Sequence, residues 1–218
     1  MSTELITPAV NFSSGTEGSV PYIKIEGAKD FDLCAVMECG QCFRFTRVED
    51  SAHECEYSGV ALGRFIAVAE DGDTLYFYNT DAAEFDSIWR GYFGLDTDYA
   101  AIKRDILSRS DREVLREAVE VGGGIRILRQ DSWEALCSFI ISQNNNIPRI
   151  RKLVAAISEK YGTPIDCRGL ERHGARETEY AFPTPEALAE AGIPALAELR
   201  TGFRAKYIYD AARRVADG

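Results

Sequence analysis

The sequence predicts an α+β fold, an antiparallel sheet with flanking helices followed by a helical region. Five short segments between Val20 and Tyr78 alternate apolar and polar residues, helical spacing sets in at Ala82, and Gly122-Gly123-Gly124 interrupts the chain between two helical stretches. Alternation with period two lays one side of a strand against a core. Recurrence at i, i+3, i+4 and i+7 does the same for a helix.

The strands come first. Val20 to Gly27, Cys42 to Val48, Cys55 to Ala61, Arg64 to Ala69 and Thr74 to Tyr78 read as a meander of four or five antiparallel strands, with turns at Leu62-Gly63 and in Glu70-Asp71-Gly72-Asp73. Three helices are then expected at Ala82 to Phe93, Asp98 to Ser108 and Asp111 to Val121, the first with a core stripe of Phe85, Ile88, Trp89 and Tyr92. The three glycines lack the Lys-Ser/Thr ending of a phosphate loop and read as a domain junction, which divides the chain into 1–124 and 125–218.

In the second part Asp131 can cap a helix with Glu134 at its third position, and Leu136, Phe139 and Ile140 are expected as its buried stripe. Ser142 to Asn146 should end it. Pro148 suits the first turn of the next helix, whose apolar face is Ile150, Leu153, Val154, Ile157 and Tyr161, and Gly162 should stop it. Thr163 to Tyr180 reads as loop, with further helices after Thr184, near Pro194 and from Arg204 to Ala216.

With 218 residues, 45% of them hydrophobic, the chain can close a substantial core. No run approaches the roughly 18 apolar residues of a membrane span, and Met1 to Ser19 lacks the order of a signal peptide. A cytoplasmic monomer without membrane contact is expected. The formal charge of −10 runs against a phosphate-binding role, but it is unevenly spread. From Arg126 to Lys160 six basic residues face three acidic ones, and from Arg200 to Arg214 five face one, so these stretches are locally basic.

Four constellations merit chemistry. Cys34, Cys39, Cys42 and Cys55 have spacing compatible with a metal or redox centre, which gives the rival reading of a metal-binding or adaptor module without enzymatic activity. The intervening Leu33, Val36 and Met37 favour reduced, buried thiols and no metal. Gly40-Gln41 precedes a strand; the glycine is a turn residue or a place where a flat ligand approaches the backbone. Ser142 to Asn146 carries three consecutive asparagines, which cap helices or read the edges of an unpaired base, with Arg149 adding a planar donor fork nearby. Gly202 to Tyr207 sets Phe203 and Arg204 at a helix start, either core beside a solvated face or an aromatic wedge with a cation to satisfy an orphaned base.

The last three motifs stand in this order and at these separations in the 8-oxoguanine DNA glycosylases, which the chain resembles from about Phe31 to Arg214. The carrying segments are Gly40-Gln41-Cys42-Phe43-Arg44-Phe45, Ile127 to Asp131, Phe139 to Ile150, Phe182-Pro183 and Gly202 to Tyr207. The resemblance implies a TATA-binding-protein-like first domain and part of an all-α helix-hairpin-helix glycosylase domain. It implies a base-excision repair enzyme with N-glycosylase and AP lyase activity, which flips 8-oxoguanine out of duplex DNA and needs no cofactor. By the same resemblance the Gly40 carbonyl meets the N7 hydrogen that guanine lacks, Asn144, Arg149 and Arg204 hold the estranged cytosine, and Phe203 is the wedge. The resemblance implies that a helix-hairpin-helix supplies the catalytic lysine and a downstream aspartate assists; none of Lys24, Lys29, Lys103, Lys152, Lys160 or Lys206 sits in such a hairpin, so no catalytic residue is assigned and the 218 residues alone are expected to be inactive.

Overall fold

A computed structural model describes residues 11–109 and 111–218, so the first ten residues of the stretch read for a signal peptide lie outside it. The strands are β1 (Phe12–Glu17), β2 (Val20–Glu26), β3 (Phe45–Arg47), β4 (Cys55–Ala61), β5 (Arg64–Asp71) and β6 (Thr74–Tyr78), with α1 (Leu33–Glu38) between β2 and β3. They form one six-stranded sheet in the order β1-β2-β6-β5-β4-β3. The β1/β2, β2/β6 and β5/β6 pairs are antiparallel. The expected α+β class is what the chain adopts.

Two compact units interleave along the chain. Among the described residues one comprises 11–41, 48–57 and 67–129, the other 42–47, 58–66 and 130–218. The sequence-based boundary after Gly124 is a single cut, whereas β4 and β5 each contribute residues to both units. Alternation along a strand reports which side is buried and says nothing of which core receives it.

In the first unit, register places Ile23 opposite Phe77 and Ile25 opposite Leu75, and all four are buried. Phe77 meets Phe85 and Phe93 at centroid distances of 5.2 and 5.3 Å, which ties the following helical segment to this sheet face. That segment is α2 (Ala82–Glu84), a π-helical turn (Phe85–Trp89) and α3 (Arg90–Tyr92). Of its expected stripe Phe85, Trp89 and Tyr92 are buried and Ile88 is half-buried. Helices α4 (Tyr99–Ser108) and α5 (Glu113–Val121) follow. Gly124 is a glycine because a Cβ there would lie 2.4 Å from the Asp32 Cβ, at the place where the Asp32 N–H donates to its carbonyl.

The second unit packs α6 (Ser132–Ser142), α7 (Ile147–Tyr161), α8 (Pro185–Glu198, kinked at Gly192) and α9 (Arg204–Ala216). Their core is built on Cys137, Ile141, Ile150, Leu153, Val154, Ile157, Leu188, Leu196 and Ile208. Gly162 ends α7 because a Cβ there would sit 1.9 Å from the Ala181 carbonyl oxygen. No helix among the described residues is long and apolar enough to cross a membrane.

Several expectations need correction. β1 was missed because Phe-Ser-Ser-Gly-Thr-Glu is too polar to alternate visibly. The strand expected from Cys42 shrinks to Phe45–Arg47, since residues 40–44 turn. Thr163 to Tyr180 is not all loop: β7 (Pro164–Asp166) and β8 (Thr178–Tyr180) form an antiparallel pair around a 3-10 turn at Glu171–His173. Leu136 and Phe139 are exposed, and α6 buries Cys137, Ser138 and Ile141 instead. That helix is apolar nearly all round, so its hydrophobic phase was ambiguous. Cys34 and Cys55 form a disulfide across a Cα–Cα distance of 6.7 Å, where reduced thiols were expected. Cys39 is exposed and Cys42 buried, both free. Among the described residues no group of three or more His, Cys, Asp or Glu is gathered closely enough to hold a metal ion.

Candidate nucleic-acid interface

The α6–α7 connection separates the three asparagines by role. Asn146 caps α7, its side chain accepting from the Arg149 N–H at 3.0 Å. Asn145 donates to the Ile141 carbonyl at 3.0 Å and accepts from the Asn146 N–H at 3.0 Å, so it holds the turn together. Asn144 does neither. It sits in the left-handed region at φ 49°, which asparagine tolerates better than most residues, and its side chain is exposed, with no hydrogen-bond partner among the described residues. Of the two readings open for this motif, capping accounts for Asn145 and Asn146 and leaves the amide of Asn144 free to bind.

The carbonyls of this turn are gripped from beneath. Arg204, at the start of α9 and 5% exposed, donates from Nε to Gln143 O at 3.1 Å and from Nη2 to Gln143 O and to Asn144 O, the latter at 2.9 Å. Its Nη1 reaches Thr201 O at 3.4 Å. Counting Nε once, Nη1 once and Nη2 twice, one of the five guanidinium N–H groups is left over. Its neighbour Phe203 is 57% exposed, with the Arg204 guanidinium 4.5 Å from the ring centroid. The bland reading of Phe203 as core fails on that exposure. Arg149 is exposed in the first turn of α7 and donates to Arg200 O at 3.3 Å. Four of the five expected site residues, Asn144, Arg149, Phe203 and Arg204, thus lie around one pair of loops.

Beside them runs an open apolar cleft of about 550 Å³ lined by Phe139, Ile140, Gln143, Phe203, Tyr207 and Arg214. Phe139 and Tyr207 are 65% and 56% exposed. Sequence reasoning had placed Phe139 in the core; its exposure could be found only by knowing the phase of α6.

Three cations of the first basic stretch are committed elsewhere, Lys160 among them through its pair with Glu198 at 3.0 Å. Arg126 is buried, donates to Asp30 O, Gly94 O and Thr97 O, and lies 4.3 Å from the Tyr99 ring centroid. Arg129 pairs with Asp96 at 2.5 Å. Lys152, exposed on α7, and Arg149 remain directed outward from the stretch.

Gly40 belongs to the first unit. It follows α1 at φ 84°, is exposed, and nothing lies within 4 Å of where its Cβ would be. Conformation, rather than crowding within the protein, therefore requires glycine here. Gln41 is named with Gly40 in the sequence motif, but no local pattern gives it a role. Its Nε2 donates to Val36 O at 3.1 Å and Arg126 O at 2.8 Å, with Cys39 Sγ at 3.3 Å, and its Oε1 accepts from the Leu128 N–H at 2.9 Å.

Comparison with known proteins matches residues 24–136 to the family model of the 8-oxoguanine DNA glycosylase N-terminal domain, more than half of the chain. The chain belongs to the 8-oxoguanine DNA glycosylase family. The N-glycosylase/DNA lyase of Saccharomyces cerevisiae is 32% identical over 206 residues, covering 85% of this chain and 50% of that protein. The fold of this family member superposes on MBOgg1, solved with a low-affinity DNA ligand, at a TM-score of 0.82 and 41% identity, covering 95% of this chain and 66% of that one. The Clostridium acetobutylicum 8-oxoguanine glycosylase/lyase, solved with double-stranded DNA containing cytosine opposite 8-oxoG, gives 0.82, 37%, 95% and 66%. The chain thus spans about half of the yeast relative and just under two thirds of the two solved relatives.

Proposed function

We propose that this chain carries the base-recognition and strand-holding part of a base-excision repair enzyme, an N-glycosylase with AP lyase activity that removes 8-oxoguanine from duplex DNA by base flipping. The observation that supports it best is the free, left-handed Asn144 amide, held in place through its own carbonyl by Arg204 beside the exposed Phe203. A flipping enzyme must fill the hole left in the stack and satisfy the base left behind. An exposed aromatic ring suits the first task. The amide of Asn144, the fork of Arg149 and the remaining N–H of Arg204 suit the second, toward the estranged cytosine.

Selection of the flipped base is assigned to Gly40. Its carbonyl accepts a hydrogen bond from N7–H of 8-oxoguanine, whereas guanine presents a lone pair at N7, so one attraction becomes one repulsion. No cofactor or metal is required for this step, and no catalytic residue is assigned among residues 1–218. In this reading the protein acts as a monomer in the cytoplasm, with duplex DNA as its partner, and the division into 1–124 and 125–218 is kept as the functional one.

The test is equilibrium binding of the chain to matched duplexes carrying 8-oxoguanine or guanine opposite cytosine, at two salt concentrations. Binding should be salt-sensitive, favour the 8-oxoguanine duplex, and weaken in Asn144→Ala. Equal affinity for the two duplexes, or an unchanged Asn144→Ala, would refute the assignment.

A further inference from the structure

We propose that Gln41 is the positioning residue for the Gly40 carbonyl, the part that turns a permissive glycine into a fixed acceptor. The inference rests on the reading that this carbonyl meets the N7 hydrogen of the damaged base. Glycine at φ 84° has no Cβ to limit rotation of the peptide that follows it, and the place a Cβ would occupy is open. The 40–41 peptide, which bears the Gly40 carbonyl, therefore has to be held from its other end. Gln41 is that end.

Its side chain is held on both sides. The amide nitrogen donates to Val36 O in the last turn of α1 and to Arg126 O, while the amide oxygen accepts from the Leu128 N–H. One primary amide thus uses its donors and its acceptor together, which fixes the plane of the group as well as its position. Both anchoring segments are themselves fixed. Val36 and Leu128 are buried, and Arg126 is buried on three carbonyls of its own. The clamp is therefore preorganised by the core of its unit. A one-ångström displacement of an acceptor suffices to spoil a recognition contact of this kind.

Gln41→Ala and Gln41→Glu test this with two readouts. The first is the ratio of affinities for the 8-oxoguanine and guanine duplexes; the second is amide hydrogen exchange at Leu128. Gln41→Ala should lower the ratio by about fivefold or more, the equivalent of one hydrogen bond, while affinity for the guanine duplex does not fall and Leu128 exchanges faster. Gln41→Glu keeps the acceptor for Leu128 but, when ionised, has no donor for Val36 O or Arg126 O. It should keep Leu128 protected yet lose the preference at neutral pH, and regain part of it as the carboxyl protonates on acidification. A merely structural residue would move Leu128 exchange and leave the ratio alone. If the unaltered chain has no preference, the Gly40 reading and this inference fall together. If it prefers 8-oxoguanine and Gln41→Ala does so equally, the Gln41 inference alone is overturned.

Discussion

The guanidinium of Arg204 holds the main-chain carbonyl of Asn144 at 2.9 Å while Asn144 itself stands at φ 49°. A buried cation thereby supports an exposed amide through the backbone, and the loop's shape depends on a residue in a different helix. Removing the guanidinium strands the carbonyls of Gln143, Asn144 and Thr201. Arg204→Ala should therefore cost about 2–4 kcal/mol of stability, read as a shift of the urea midpoint at unchanged m-value. Arg204→Lys keeps the charge but not the fork, and should fall between the two. A loss under about 0.5 kcal/mol for the alanine variant would mean the carbonyls find water and the support is dispensable.

Phe203 makes the opposite prediction. At 57% exposure it contributes little to the core, so Phe203→Ala should alter stability by no more than about 0.5 kcal/mol. Its affinity for duplex DNA should nevertheless drop by about 1–3 kcal/mol, the usual worth of one aromatic ring stacked on a base, and Phe203→Tyr should restore it. An alanine variant that binds as well as the original would remove the wedge from this account.

Legibility in the sequence followed the length scale of the interaction. Ile23, Ile25, Leu75 and Phe77 announce a sheet face because period two is a local property, and Phe85, Trp89 and Tyr92 announce a helix stripe for the same reason. The three asparagines and Phe203 were visible as unusual local compositions. What each does was not, because Asn144 differs from Asn145 and Asn146 only in where α6 stops and α7 begins. Arg204 and Gln41 grip backbone carbonyls 61 and 85 residues away, and no spacing rule encodes such a contact. Arg126 counts toward the locally basic stretch in sequence, and its burial on three carbonyls is invisible there for the same reason. The Cys34–Cys55 pair likewise depends on bringing α1 to β4, which local pattern cannot show.

Glu134, at the third position of α6, should make stability depend on pH. Burial pushes its carboxyl up to about 7 against the opposing pull of Arg44, whose Nη1 lies 3.9 Å away. The folded state therefore holds this proton across a window, from the ordinary carboxylate value of 4.5 up to about 7, in which the unfolded chain has released it. The contribution is fully present below that window and is lost as pH rises through it. Glu134→Gln cannot ionise. It should match the original chain below the window and exceed it above pH 7 by on the order of 2 kcal/mol. Glu70, also raised by burial, to about 6, is present in both proteins and cancels in the difference. Urea midpoints for the two that run parallel from pH 4 to pH 8 would show that Glu134 is solvated enough to ionise freely.

The last prediction concerns the amines. Schiff-base chemistry needs a lysine that is deprotonated and reaches the sugar C1′, and three of the six lysines are bound to carboxylates. Lys24 donates to Glu26 at 2.6 Å and Lys160 to Glu198 at 3.0 Å, and each hydrogen bond holds its ammonium above the usual lysine range. Lys103 is tied to Asp30 and, at 3.3 Å, to the Gly123 carbonyl. Lys29, Lys152 and Lys206 are exposed on the surface. None of the six matches the hairpin with which the family resemblance associates the catalytic amine. Residues 1–218 incubated with an 8-oxoguanine duplex and borohydride should therefore yield no covalent adduct, even where binding to that duplex is measurable. A robust adduct would reverse the conclusion, and peptide mapping of the crosslink would name the lysine whose surroundings in the DNA complex must differ from those in the free protein.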